Sequence, residues 1–520
     1  MGRTIRMMVL ATVLLAALPA GAMAAGGTGA AAAVQAGPAV VADFNGDGID
    51  DLVVGVPGED IGATTNAGAV NVIYGSESGL PDGPRQQLTQ ALAEPGDGFG
   101  TAVATGDFND DILTDLAVGV PGENVGGIAD AGAVEIFYGS GGVIGLPAVG
   151  DQLLRQGAGG MAGVAEAGDR FGAALATGLV NNGDGAELAI GAPGEDVGVL
   201  GGAGAVSLVD GAAGGLLGGS NLLITESNPE PGDGFGAAVA IGDLSGGGDP
   251  AQPDDLAVGI PGENVGTATD AGAVNVLDSA DDGSGLLPSA VQDQYFQGNN
   301  GVPGASESGD LFGSALAAGL FGSGGVDLAV GVPGENVGAA ADAGAVVILA
   351  GPTTHQLLTQ GGATTIGALP GATEAGDQFG SALGAADFDD NNADNLVVGV
   401  PGENLGAVAD AGAVLSLCGF DGQFGGCADG VLTQGNPEAG DRFGSALTPG
   451  NFDGNEFPDL AVGAPGETVA GKAAAGAADA RDGEDGGLPA GPDAPLYFQG
   501  SAGVPGTAEA GDRFAAALSA

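Results

Sequence analysis

Beyond its first forty or so residues the chain alternates short apolar runs with turn residues. In one stretch the runs are Thr101–Ala104, Leu116–Val120, Ala133–Tyr138 and a short run near Leu153. Each has the length of a strand, and Gly, Pro, Asn or Asp stands between them. No apolar stripe at i, i+3, i+4 follows the N-terminal segment, so helices are not expected there. The pattern recurs as a repeat. Gly-x-Pro-Gly-Glu begins at Gly55, Gly119, Gly191, Gly259, Gly331, Gly399 and Gly463. Glu-x-Gly-Asp-x-Phe-Gly places its Phe at 99, 171, 235, 312, 379, 443 and 514, the last followed by Ala515. Ala-Gly-Ala-Val begins at Ala67, Ala131, Ala203, Ala271, Ala343 and Ala411, and decays at Ala475. Leu-Thr-Gln or Tyr-Phe-Gln stands at Leu88, Tyr295, Leu358, Leu432 and Tyr497. Four strands in each of seven units predict an all-β fold: a seven-bladed β-propeller of four-stranded antiparallel blades. One such blade is too small and too Ala-rich to bury a core alone, so stacking around a ring supplies the missing contact.

The seam predicts how the ring closes. The first unit lacks its Phe-Gly strand, and the last residues supply a spare one. Residues 511–520 are therefore expected to pair with strand 52–56, in preference to the rival segment Pro38–Ala42, which lacks the Phe and its Gly-Asp lead-in. The repeat domain is placed at 43–520, after a leader at 25–42. Arg3 and Arg6, the apolar run Met7–Leu18 and the small-x-small site Ala22-Met23-Ala24 predict an export signal over 1–24, removed after Ala24. No later segment is apolar enough for a membrane span, and a secreted or surface-associated monomer is expected.

Composition sharpens this picture. The chain has 66 acidic and 9 basic residues, a formal charge of −57, one His and 109 Gly. A basic footprint for nucleic acid is missing. With one His, His-rich zinc sites and most imidazole-centred acid–base catalysis are excluded. Gly-x-Ser-x-Gly and His-Glu-x-x-His are absent, so no catalytic residue is assigned. Cys418 and Cys427 flank a short segment between the third and fourth strands of unit six, and in an exported chain they are expected to form a disulfide.

The candidate chemistry lies in the loops that precede the Leu-Ala-Val strands. In the first, Asp43, Asn45, Asp47 and Asp51 occupy positions 1, 3, 5 and 9, and Ile49 offers its carbonyl at position 7. The second has Asp107, Asn109, Asp111 and Asp115 with Leu113; the sixth Asp387, Asp389, Asn391 and Asn395 with Ala393; the seventh Asn451, Asp453, Asn455 and Asp459 with Phe457. Alternate side chains of one tight loop can thereby gather the six to eight oxygens that Ca²⁺ takes. An Asx-turn without metal is the competing reading. Loops three, four and five are degraded: Leu179 and Gly183 replace ligands in the third, the fourth is lengthened by Pro250–Pro253, and the fifth has one acid between Leu320 and Asp327.

With the Phe-Gly and Gly-x-Pro landmarks around such loops, the chain resembles FG-GAP repeat proteins, including the N-terminal propeller of integrin alpha chains. The resemblance covers about 36–520 and implies Ca²⁺ in loops one, two, six and seven. It also implies adhesion or recognition of an extracellular protein or carbohydrate ligand, without catalysis. The alternatives are an extracellular hydrolase on a propeller scaffold, since similar repeats accompany some phospholipases, or a structural envelope component. By the meander topology the metal loops share one face. The Pro-Gly-Glu and Glu-x-Gly-Asp loops share the other, where their acids are expected to cap turns. The longer inserts before Phe171, Phe312, Phe379 and Phe514 are the expected partner surface.

Overall fold

A computed structural model describes residues 42–520 except 81–82, 182, 184, 218–220, 246–251, 281–282, 287–292, 322–323, 352–353, 365–366, 421–422, 456, 485, 490–494 and 502. The expected export signal at 1–24, and all of the leader at 25–42 but Ala42, lie outside the described residues. Among those described, seven four-stranded antiparallel sheets follow one another along the chain, with one small hairpin, Ala363–Thr364 with Gly367–Ala368. Blade two is representative: Val103–Gly106, Asp115–Val120, Ala133–Phe137 and Gln152–Leu154, paired in that order. The sequence-predicted runs match these strands to within two residues.

Ring closure is as the seam predicts. Blade one consists of Leu52–Val56, Ala69–Ile73 and Arg85–Leu88, completed by Ala517–Ser519 from the far end of the chain. The register pairs Val53 with Ser519, Val54 with Leu518 and Gly55 with Ala517. The rival segment contributes Ala42, whose carbonyl accepts the Asp51 amide at 2.8 Å.

The central strands are buried on both faces, since neighbouring blades cover them; hence Asp-Leu-Ala-Val-Gly-Val is apolar without alternation. Hydrophobic clusters form between blades. One joins Val53, Val70 and Val72 of blade one to Leu116, Val118 and Val120 of blade two around Phe99. Each of the seven repeat Phe residues is fully buried. Each also forms a parallel bridge to the Gly of Ala-Gly-Ala-Val or its decayed form, from Gly68–Phe99 through to Gly476–Phe514. These glycines are obligatory. Gly412 has φ +81°, and a Cβ there would lie 2.2 Å from the Phe443 carbonyl oxygen.

The inner strands surround an axial channel of about 280 Å³, to which the blades contribute Ala102, Ala174, Ala238, Ala315, Ala382, Ala446 and Ala517. The four inserts named above are anchored, each sending one apolar side chain inward: Met161, Val302, Leu369 and Val504 are 3–5% exposed. In blade six the outer hairpin is longer than the sequence pattern suggests, Ala413–Phe420 against Gln423–Leu432. Cys418 lies on it and is disulfide-bonded. The Cys427 side chain lies outside the described residues. Among the described residues no helix is long and apolar enough to cross a membrane.

Candidate metal centre

The Asp/Asn loops sit between the first and second strands of their blades, as in Gly106 to Asp115 of blade two. They fold as they do because short oxygen side chains bond the backbone of their own turn. In loop one, Asp43 Oδ1 accepts the amides of Gly46 (2.7 Å) and Asp47 (3.0 Å), and its Oδ2 that of Gly48 (2.8 Å). Asn45 Oδ1 accepts the Asp47 amide, and Asp47 Oδ1 the Ile49 amide. Loop two repeats this: Asp107 accepts from Asp111 and Ile112, and Asp111 from Leu113. In loop six, Asp387 accepts from Asn391 and Asn392, and Asn391 from Ala393. Loop seven differs. Asn451 turns its amide onto the Asn455 carbonyl at 2.6 Å, and Asp453 accepts both the backbone and the side-chain amide of Asn455. Asn455 Oδ1 accepts the Phe457 amide.

Position 9 has a role of its own. Asp51 is fully buried, and its two oxygens accept the amides of Phe44 and Gly75, each at 3.0 Å. Asp115 does the same with Phe108 and Gly139, and Asp459 with Phe452 and Gly483. Asn395 holds the Phe388 amide at 2.8 Å. The degraded loops keep this group when other ligands are gone: Asp255 holds Ser245 and Ser279, and Glu187 holds Val180. Position 9 is therefore a fold-holding side-chain oxygen, a carboxylate in every one of these loops but the sixth. Burial pushes Asp51 up to about 8, with Asp43 and Asp47 adding repulsion against the two amides. Burial likewise raises Asp115 and Asp459 to about 7.

Orphaned oxygens test the fit to a cation. Asn109 Oδ1 and Asp389 Oδ1, both at position 3, are buried without a hydrogen-bond partner, as is Asn451 Oδ1. A hard cation suits a donor set made of carboxylate, amide and carbonyl oxygen. Loops two and six fit best. Loop one has its carboxylates in place, whereas in loop seven an amide donor occupies part of the space.

One feature was not read from the sequence. Asp50, Asp254 and Asp394, at position 8, reach across to the preceding loop and accept the position-1 amides of Asn451, Leu179 and Leu320 at 2.7–2.8 Å. These three position-1 residues are the ones that are not Asp. Where position 1 is Asp43, Asp107, Asp243 or Asp387, position 8 of the next loop is Thr114, Ala186, Val326 or Pro458. Each junction carries one acid, on one side or the other. The signal was the alternation of doublets such as Asp50-Asp51 with position 1 of the preceding unit.

A family model described as FG-GAP repeat matches residues 37–73, 99–137 and 443–479. The chain carries FG-GAP repeats. Over 102 residues the chain is 42% identical to mouse phosphatidylinositol-glycan-specific phospholipase D, covering 19% of this chain and 12% of that protein. It is 40% identical over 87 residues to integrin alpha-PS5 of Drosophila melanogaster, covering 16% and 8%. The matches thus span about an eighth or less of these relatives. Among solved structures, the exotype rhamnogalacturonan lyase YesX aligns over 90% of this chain and 67% of its own, at 13% identity and a TM-score of 0.42.

On the opposite face the acids are also ordered. The Asp of each Glu-x-Gly-Asp accepts the amide three residues before it, as Asp97 does from Glu94. The Glu of Pro-Gly-Glu departs from the expected turn cap. It accepts a side-chain amide from the preceding blade: Gln90 to Glu123, Gln156 to Glu195, Gln297 to Glu335, Gln360 to Glu403, Gln434 to Glu467 and Gln499 to Glu59, each at 2.7 Å. The last of these spans the seam.

Proposed function

We propose that this chain is a secreted calcium-binding propeller that serves extracellular adhesion or ligand recognition and has no catalytic role. On this reading residues 1–24 are an export signal, 25–42 a leader and 43–520 the functional ring. Ca²⁺ is held by Asp107, Asn109 and Asp111 with the Leu113 carbonyl, by Asp387, Asp389 and Asn391 with that of Ala393, and by Asp43, Asn45 and Asp47 with that of Ile49. Asp453 and Asn455 of loop seven, with Asn451 and Phe457, form the weakest site. Asp51, Asp115, Asn395 and Asp459 brace the loops. The observation that carries the reading is the pair of buried, unpartnered oxygens at position 3 of loops two and six. The bound ion would supply positive charge to each loop, offset carboxylate repulsion and stiffen the face. The ligand is an extracellular protein or carbohydrate, and the ring acts as a monomer.

Calcium titration followed by thermal melting tests this. The EDTA-treated protein should melt lower and recover on adding Ca²⁺, and Asp107→Ala with Asp111→Ala should reduce the recovery. No shift with Ca²⁺ in the wild type would overturn the metal reading. A second reading, a propeller serving a hydrolase, is favoured by the phospholipase D relatives. Turnover of ester or glycoside substrates by the purified chain would replace the first reading with it.

A further inference from the structure

The Gln–Glu bonds that link the blades have one exception. Between blades three and four the Gln is replaced by Glu226, which ends the run Ile224-Thr225-Glu226 where the other blades read Leu-Thr-Gln, Leu-Arg-Gln or Tyr-Phe-Gln. Its partner across the blades remains a carboxylate, Glu263. A bond that is neutral-to-anionic in six places becomes two facing anions in the seventh, with Asp233 beside them. One carboxylate oxygen from each of Glu226, Asp233 and Glu263 lies within 4.8 Å of the others.

The three groups are held so that a free oxygen remains on each. Glu226 Oε1 accepts the Gln294 side-chain amide at 3.0 Å, and Asp233 Oδ2 the Glu230 backbone amide. Glu226 Oε2, Asp233 Oδ1 and Glu263 Oε2 are buried and receive no N–H or O–H from outside the cluster; without a cation, Glu226 and Asp233 can meet only by sharing a proton between their carboxyls. Glu226 is 5% exposed and Asp233 is fully buried. No Lys, Arg or His occurs in the sequence between Arg170 and His355, which spans both blades. Buried carboxylates without a paired cation are costly.

We propose that Glu226, Asp233 and Glu263 form a site for one divalent cation, Ca²⁺ by size, bridging blades three and four on the face opposite the Asp/Asn loops. Ca²⁺ sits about 2.3–2.6 Å from its oxygen ligands, so oxygens up to about 5 Å apart can share it. The smaller Mg²⁺, at about 2.0–2.1 Å, would require the three to draw together. The site is independent of the loop sites, with which it shares no residue.

The test counts bound Ca²⁺ by equilibrium dialysis of the full chain, stripped with EDTA, for the wild type, Glu226→Gln, and the loop variant Asp107→Ala with Asp111→Ala. Glu226→Gln should bind one equivalent fewer than wild type. Without calcium it should melt higher, because it restores the Gln–Glu bond of the other six blades. Glu263→Gln, measured in parallel, should also lose that equivalent. Wild-type stoichiometry in both Gln variants would overturn the proposal and leave the cluster neutralised by a proton instead. A loop variant that keeps its full count while Glu226→Gln loses one would defeat the loop reading and support this one. If wild type binds no calcium, both fall.

Discussion

Phe514 is the residue on which ring closure can be weighed. Its ring is fully buried in a cluster that joins blade one (Leu52, Val54) to blade seven (Ala461, Ala478). Around it the seam is held by the Ala515 amide on the Gly55 carbonyl and the Gly58 amide on that of Asp512, each at 3.0 Å. Removing a buried Phe ring costs about 3–5 kcal/mol. The repeat supplies its own control, since Phe235 is equally buried at an interior junction. Phe514→Ala and Phe235→Ala should therefore lower stability by similar amounts, within about 1 kcal/mol of one another allowing for local relaxation. Equilibrium denaturation in guanidinium at fixed calcium, followed by circular dichroism, gives the two midpoints. If Phe235→Ala costs its full amount while Phe514→Ala costs less than about 1 kcal/mol, the seam is not closed by this strand.

Gly412→Ala should destabilise by at least about 2 kcal/mol, because it places a methyl against the Phe443 carbonyl at a left-handed φ; a neutral result by the same assay would remove the bridge from the account of blade stacking. Glu135 is 6% exposed, and burial pushes it up to about 7, with the Gly150 amide opposing and Glu123 reinforcing. Its folded value lies above its unfolded one. Its ionisation therefore costs nothing below about pH 4.5, and the penalty grows to its full size above about pH 7, up to about 3 kcal/mol. Glu135→Gln should accordingly raise the melting temperature at pH 8 and leave it unchanged near pH 4; an equal gain at both would assign the effect to packing. Asp254→Ala should loosen the junction between loops three and four by about 1–2 kcal/mol, since the carboxylate that holds the Leu179 amide at 2.8 Å is removed. Hydrogen exchange at Leu179, faster in the variant, is the check.

Much of the fold was legible because the repeat makes it redundant. Seven copies of Phe-Gly and Gly-x-Pro fix the blade number, and the unpaired first unit with its spare last strand fixes the closure. Local turn chemistry was legible for the same reason: Asp43 to Asp51 states its own loop. Interactions between copies were harder to see. The position-8 acids and the Gln–Glu pairs join residues about 30 to 80 positions apart, or across the seam. Periodicity within a unit carries no signal for them. Reading position 1 of one unit against position 8 of the next would have found the first. Noticing that Glu226 stands where the other units have Gln would have found the second. The bracing role of Asp51 and Asp115 was hidden because an oxygen that braces a backbone and one that could ligate a metal look alike in sequence.

The alanines around the axial channel have a consequence for how the seven copies can diverge. A loop on either face answers mainly to its immediate neighbours, and loops three to five have lost ligand residues while the blades around them remain four-stranded. An inner strand answers to all the others, because the girth of the ring is their common property. A larger side chain at Ala238 would press on its neighbours, and a wider circle has to be shared by every blade. Substitution is therefore free at the rim and collective at the axis. A gain or loss of one whole repeat would demand coordinated change in the small residues at the centre, which makes seven a steric choice as well as a count of copies.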